Sequence, residues 1–169
     1  QKDADLDYKL CVTNMHLLPS YGSPIEEIIK DGFEVHFKPF MALDGYNHFS
    51  MAKSLGILIS SISDYLYSNP PDWIVLAGDR GEQLAGAIVG AYCYIPIAHI
   101  QAGELSGNID GVTRHAIGKY AHVHFASNQD AAERLMKLGE QDFRVHNVGA
   151  PQIDEMIESK IPSLDLLKK

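Results

Sequence analysis

The chain has 169 residues, with 14 Lys plus Arg against 22 Asp plus Glu and a formal charge of −8. Hydrophobic residues make up 46% and charged residues 21%, a globular composition too apolar for a disordered chain and a length suited to one domain that buries its own core. The negative balance argues against nucleic acid as a partner, since counterion release needs clustered Lys and Arg. Two cysteines, Cys11 and Cys93, are too few for a disulfide scaffold or a cysteine zinc site and suit a reducing, cytoplasmic location.

The chain opens Gln1-Lys2-Asp3, without an initiator Met or a charged-then-apolar leader, so no signal peptide is expected and the chain reads as a piece of something longer. Tyr8 to Thr13 reads as a first strand, followed by a loop with Asn14-Met15-His16 and a short helix from Pro24 to Lys30. Asp31-Gly32 is a turn signal into a second strand, Phe33 to Phe37. From Ser50 to Ser68, Met51, Leu55, Leu58, Ile59, Ile62 and Leu66 recur at helical spacing, and Pro70-Pro71 ends the helix.

Trp73 to Ala77 is a continuous apolar run, which predicts a strand buried on both faces, as in a parallel sheet. A helix follows through Leu84 to Tyr92, then a strand from Ile95 to Ile100. After a polar loop come a helix from Asp110, a strand from His122 to Ala126, a helix from Gln129 to Leu138, a strand from Arg144 to Val148 and a last helix from Pro151. This alternation predicts an α/β fold with a Rossmann-like, mostly parallel, doubly wound sheet. Gln83 to Gly103 carries no Asp, Glu, Lys or Arg and is long enough to span a bilayer. Gly86, Gly90, Pro96 and His99 interrupt it, so a buried helix–strand pair is expected and no membrane partner.

In open α/β sheets, ligands sit at the carboxyl ends of the strands, and three such ends are polar here. Gly78-Asp79-Arg80 follows the apolar strand. Asp79 reads either as a helix cap, worth about 1 kcal/mol, or as a carboxylate carried to the sheet edge. His99-Ile100-Gln101-Ala102-Gly103-Glu104 follows the next strand, where strand alternation places His99 and Gln101 on one side. Glu104 is a loop carboxylate within reach of a substrate or merely solvated, and His99 a core histidine or a ligand. In Gly107 to His115, Asp110 reads as an N-cap with Arg114 paired to it four residues later. The alternative makes this helix start an anion site with Arg114 aimed at a phosphate. His122 and His124 share a strand face, but no third metal ligand is evident. No G-x-G-x-x-G, P-loop or G-x-S-x-G motif occurs.

Taken together and in order, Thr13-Asn14-Met15-His16-Leu17, Met51-Ala52-Lys53-Ser54-Leu55-Gly56, Gly78-Asp79-Arg80, His99-Ile100-Gln101-Ala102-Gly103-Glu104, Ser106-Gly107-Asn108-Ile109-Asp110, Arg114-His115-Ala116-Ile117 and Asn147-Val148-Gly149-Ala150-Pro151 resemble the hydrolysing UDP-N-acetylglucosamine 2-epimerases. The branch is the one that feeds sialic acid and related sugars. The resemblance implies two Rossmann-like domains of GT-B type with the substrate between them. Residues 1–148 would be the first domain without its first strand, and residues 149–169 a hinge and the start of a second, absent domain. It implies UDP-N-acetylglucosamine and water as substrates, N-acetylmannosamine and UDP as products, a glycal intermediate, a homo-oligomer, and no metal or redox cofactor.

By the same resemblance, Asp79 and Asp110 match catalytic carboxylates, and Glu104 takes over acid–base work where Gln101 stands in place of a glutamate. His16, Arg80, Gln101, Arg114 and His115 are expected to bind substrate. Gln101 cannot exchange a proton as a carboxylate does. Asn14 stands where Gly is usual before Met-His. The 169 residues alone are expected not to turn over substrate. The readings kept beside this one are the same chemistry on a UDP-2,4-diacetamido sugar, a glycosyltransferase of the same architecture, and a non-catalytic nucleotide-sugar sensor.

Overall fold

Two parallel sheets carry the fold in the computed structural model, which describes residues 6–43 and 47–158. Strand β1 (Leu10–Cys11) pairs with β2 (Val35–Phe37) in a small sheet. Strands β3 (Ile74–Ala77), β4 (Ile97–Ile100), β5 (Val123–Ala126) and β6 (Val145–Asn147) form the second sheet in sequence order. The helices are α1 (Ile25–Lys30), α2 (His48–Ser68), α3 (Gly81–Tyr92), α4 (Ile109–Tyr120), α5 (Gln129–Lys137) and α6 (Pro151–Glu158). The loop expected at Asn14 to His16 winds into a 3₁₀ turn, Asn14–Leu17.

Local chemistry explains where the helices start. Asn47, Asn108 and Asn128 each turn a side-chain oxygen onto a backbone N–H of the first turn, of Ser50, Asp110 and Ala131, at 2.9 Å. Each satisfies a donor that the helix cannot use internally. The cap of α4 is therefore Asn108 and not Asp110, because the helix begins at Ile109 and leaves Asp110 inside its first turn, where its own N–H is the donor that Asn108 satisfies.

Packing then joins the layers. Leu76 and Ile97 of the sheet bury against Ala87 of α3, Ile117 of α4 and Ala121, with Ile97 and Ile117 fully covered. Each such branched side chain contributes about 1.5–3 kcal/mol. A second cluster, Ala102, Ala126, Ala131, Ala132 and Leu135, seats α5. A third joins Met41, Leu58 and Ala85, and so ties α2 to α3.

Strand β3 departs from expectation. Leu76 is buried, but Val75 is 62% exposed. β3 is the edge of its sheet, α3 covers the face that Leu76 occupies, and among the described residues nothing comparable covers the face of Val75. Within the stretch 149–169 expected to be a hinge, Gly149 has φ +84° and α6 follows; residues 159–169 lie outside the described residues. No helix among the described residues is long and apolar enough to cross a membrane.

Candidate active site

The carboxyl ends of β3 and β4 and the start of α4 converge on one buried cation. Arg114, in the second turn of α4, is 7% exposed. Its Nη2 donates to Asp79 Oδ2, and its Nη1 donates to the backbone oxygen of Gln101 at 2.6 Å and to Glu104 Oε2 at 3.4 Å. Ser106 Oγ donates to the same Asp79 oxygen at 2.6 Å. Arg114 thus stands between two carboxylates, using the fixed fork of its guanidinium. Neither the expected pair with Asp110 nor an orientation toward an external phosphate describes it.

Asp79 does not cap α3. The cap residue there is Arg80, whose side chain makes no capping bond and donates instead to Glu82 Oε2 at 3.5 Å, because the Asp79 carboxylate is committed to Ser106 and Arg114. Partial burial alone would raise its pKa, but the hydrogen bonds from Ser106 and Arg114 and the guanidinium charge outweigh that and hold it below the usual carboxylate range. Asp79 is therefore ionised at neutral pH.

The backbone brings Asp79 there. Gly78 has φ +88°, a left-handed conformation that glycine adopts without strain, and its N–H donates to Ile100 O at 3.1 Å. A second close approach is at Gly111. A Cβ there would lie 2.4 Å from Ser106 O, so the bare backbone lets α4 seat against the loop that supplies Ser106. Gln101 has φ +58°; strand alternation ends at Ile100, so the expected shared side for His99 and Gln101 does not follow. Arg134 donates to Gly103 O at 2.6 Å, which pins the same loop from α5.

His99 is fully buried, with Nε2 2.7 Å from Gly78 O. Burial pushes its pKa down to about 4, against a smaller opposing effect of the Gly78 bond. His115 is half-buried, and burial first, then Arg134 and Arg114, lower its pKa. His122 accepts from Ile97 N at 3.2 Å, and His124 is fully buried with Nε2 3.3 Å from Glu140 Oε2. No group of three or more His, Cys, Asp or Glu placed to hold a metal occurs among the described residues.

Beside the carboxylate cluster lies a cleft of about 750 Å³. Arg80 and Asp110 line it together with Asn14, Met15, Met41 and Met51. His16 is exposed on the 3₁₀ turn and does not line this cleft, whereas its neighbours Asn14 and Met15 do. Asn14 also donates to Glu82 Oε1. Ser106 has a role that the sequence motif around it does not assign; a serine between a loop Glu and an Asn cap is the signal that points to it.

The sequence profile described as UDP-N-acetylglucosamine 2-epimerase matches residues 1–168. The chain belongs to that family. Among its relatives in the family, the hydrolysing UDP-N,N'-diacetylbacillosamine 2-epimerase of Legionella pneumophila is 38% identical over 98% of this chain and 44% of its own length. The UDP-N-acetylglucosamine 2-epimerase of Neisseria meningitidis serogroup B is 36% identical, over 98% and 43%. The chain thus spans less than half the length of the curated relatives it matches.

Solved epimerase structures share the fold. The Neisseria meningitidis enzyme bound to UDP-GlcNAc matches with a TM-score of 0.75 at 23% identity, over 95% of this chain and 42% of that one. The Methanocaldococcus jannaschii enzyme in complex with UDP-GlcNAc and UDP matches at 0.79 and 22%, over 98% and 44%. The described residues accordingly form part of the GT-B-type architecture of these epimerases.

Proposed function

We propose that the full protein containing this chain is a hydrolysing 2-epimerase of a UDP-2-acetamido sugar, converting UDP-N-acetylglucosamine and water to N-acetylmannosamine and UDP. The observation that carries this reading is the Asp79–Arg114–Glu104 cluster at adjoining strand ends, beside a cleft that Asp110 and Arg80 line.

A base removes the proton at carbon 2, and the bond from carbon 1 to the diphosphate oxygen breaks with its electron pair leaving on UDP. The carbon 1–carbon 2 double bond of the glycal results. Water then adds hydroxyl to carbon 1 while a proton returns to carbon 2 on the opposite face, which inverts that centre. Asp79, Glu104 and Asp110 are the acid–base set. The ionised state of Asp79 suits a base, and general acid–base groups contribute typically ~10²–10⁴-fold each. Arg80, His115 and the Gln101 side chain are assigned to substrate binding, together with His16, which follows the cleft-lining Asn14 and Met15 in the chain. No cofactor is needed for this chemistry, and a homo-oligomer in the cytoplasm is the expected setting.

A second reading keeps the mechanism and changes the substrate to a UDP-2,4-diacetamido sugar. It is favoured by the 38% identity to relatives from Legionella pneumophila and Campylobacter jejuni that are named for diacetylbacillosamine. Incubating the full-length protein with each nucleotide sugar in deuterated water tests both. Deuterium at carbon 2 of the released sugar is expected, and the preferred substrate identifies the reading. Transfer to an acceptor without exchange would mark a glycosyltransferase, and binding without reaction a sensor. In the same assay Glu104→Gln is expected to lower kcat at least ~100-fold; an unchanged kcat would remove Glu104 from the acid–base set.

A further inference from the structure

His99 occupies a place that the acid–base chemistry does not use. It is fully buried, it makes no hydrogen bond to the carboxylates of the cluster, and its ring nitrogen Nε2 lies 2.7 Å from Gly78 O. A carbonyl only accepts, so Nε2 carries the proton and donates, which fixes the tautomer and leaves Nδ1 as a buried acceptor without a partner among the described residues. The ring stays neutral at working pH, because burial holds its pKa near 4.

The geometry of one peptide unit gives this bond its meaning. The oxygen of Gly78 and the N and Cα of Asp79 lie in one plane. Gly78 is the residue with φ +88°, where no Cβ restrains the chain and an added Cβ would meet nothing within 4 Å. Such a backbone rotates easily unless something holds both sides. Ile100 O accepts from Gly78 N–H at 3.1 Å on one side, and His99 donates to Gly78 O on the other. Both clamps come from β4. The Ile100 bond holds the peptide unit before the Gly78 Cα and the His99 bond the unit after it, so together they fix the φ and ψ of Gly78 and aim the Asp79 Cα, and therefore its carboxylate, at Ser106 and Arg114.

We infer that His99 is a positioning residue for Asp79, acting through the Gly78 carbonyl to hold the carboxylate in its reactive orientation. The inference rests on the epimerase reading above for its kinetic consequence, but not for its structural one. A misplacement of about 1 Å costs on the order of 100-fold in rate.

The test uses the full-length enzyme. His99→Leu keeps an apolar filling but no donor; His99→Gln carries an amide nitrogen at the distance of Nε2; His99→Asn carries one that falls short. His124→Leu, at the buried histidine opposite His99 on β5, reports the cost of losing a neighbouring core histidine while the His99 bond to Gly78 O is kept. The expected result is a fall in kcat of about 100-fold in His99→Leu and His99→Asn with KM changed less than about threefold, recovery to within about fivefold in His99→Gln, and wild-type kcat in His124→Leu. The carboxyl ¹³C signal of Asp79 is expected to titrate higher in His99→Leu and His99→Asn than in the wild type and His99→Gln. Should His99→Leu fail to fold, His99→Asn against His99→Gln decides. Equal kcat in those two, or an Asp79 midpoint that ignores the substitution, would overturn the inference. A wild-type protein without carbon 2 exchange would instead overturn the epimerase reading, and the Asp79 titration would still decide the role of His99.

Discussion

Arg114 shows how one side chain sets the electrostatics of the whole site. Its guanidinium is nearly buried and serves Asp79, Glu104 and the Gln101 carbonyl together. Truncation would leave two carboxylates facing each other across a desolvated gap, and removing one partner of a buried ion pair costs roughly 3–5 kcal/mol. Arg114→Ala is therefore expected to lower unfolding free energy by at least about 2 kcal/mol in urea titration, after allowing for the partial exposure of the carboxylates. Arg114→Lys restores charge but not the fork, so it is expected to recover less than half of that loss. Little of this is legible in the sequence. Asp79 and Arg114 lie 35 residues apart, and only the fold brings them together, whereas the local pair of Asp110 with Arg114 is visible at helical spacing and is not the one formed. The left-handed Gln101 is equally hidden, since no glycine marks it.

At the scale of elements, asparagine caps decide where helices begin. The Asn108 side chain holds the N–H of Asp110 at 2.9 Å, so the same contact that starts α4 also fixes a candidate catalytic carboxylate at the cleft. Asn108→Ala is expected to cost about 1 kcal/mol in chemical denaturation, where Asn108→Asp should cost only a small fraction of that. Helix α2 is readable because apolar residues repeat at helical spacing over a long stretch, and the observed helix begins slightly earlier, at His48. Strands β1 and β2 are shorter than their sequence pattern because only their central residues find partners in the small parallel sheet. Propensity extends a strand, and pairing trims it.

For the molecule as a whole, buried neutral histidines set the acid limit. His99 and His124 are both covered completely, and burial lowers the pKa of each, with Glu140 opposing the effect at His124. In the unfolded chain histidine takes up its proton near pH ~6.5. The folded state resists that proton, so the stability it confers is complete above about pH 6.5 and is lost as pH falls toward the value of about 4 for His99. The depressed Asp79 carboxyl acts in the same sense at still lower pH, losing its contribution as pH falls through its folded value. Tm of the full-length protein is expected to hold from about pH 8 to 7 and to drop steadily between about 6.5 and 4; a flat profile across that interval would contradict it. The α/β class and the order of the elements are legible from alternation alone. The burial of two histidines on neighbouring strands is not, because it depends on the register that sets His99 opposite His124, a pairing between residues far apart in the chain.

The open side of β3 has a consequence for handling the protein. Val75 at 62% exposed stands on a strand whose outer edge is unpaired among the described residues, and Trp73, just ahead of it, is 48% exposed. Such edges recruit other chains into mixed sheets. Expressed as these 169 residues, the chain is expected to form soluble oligomers that grow with concentration and scatter light on warming. Val75→Lys places a charge on that edge strand and should raise the soluble monomer fraction in size-exclusion chromatography without moving the far-ultraviolet circular dichroism. Crystallisation and calorimetry of this stretch alone would then need that substitution first.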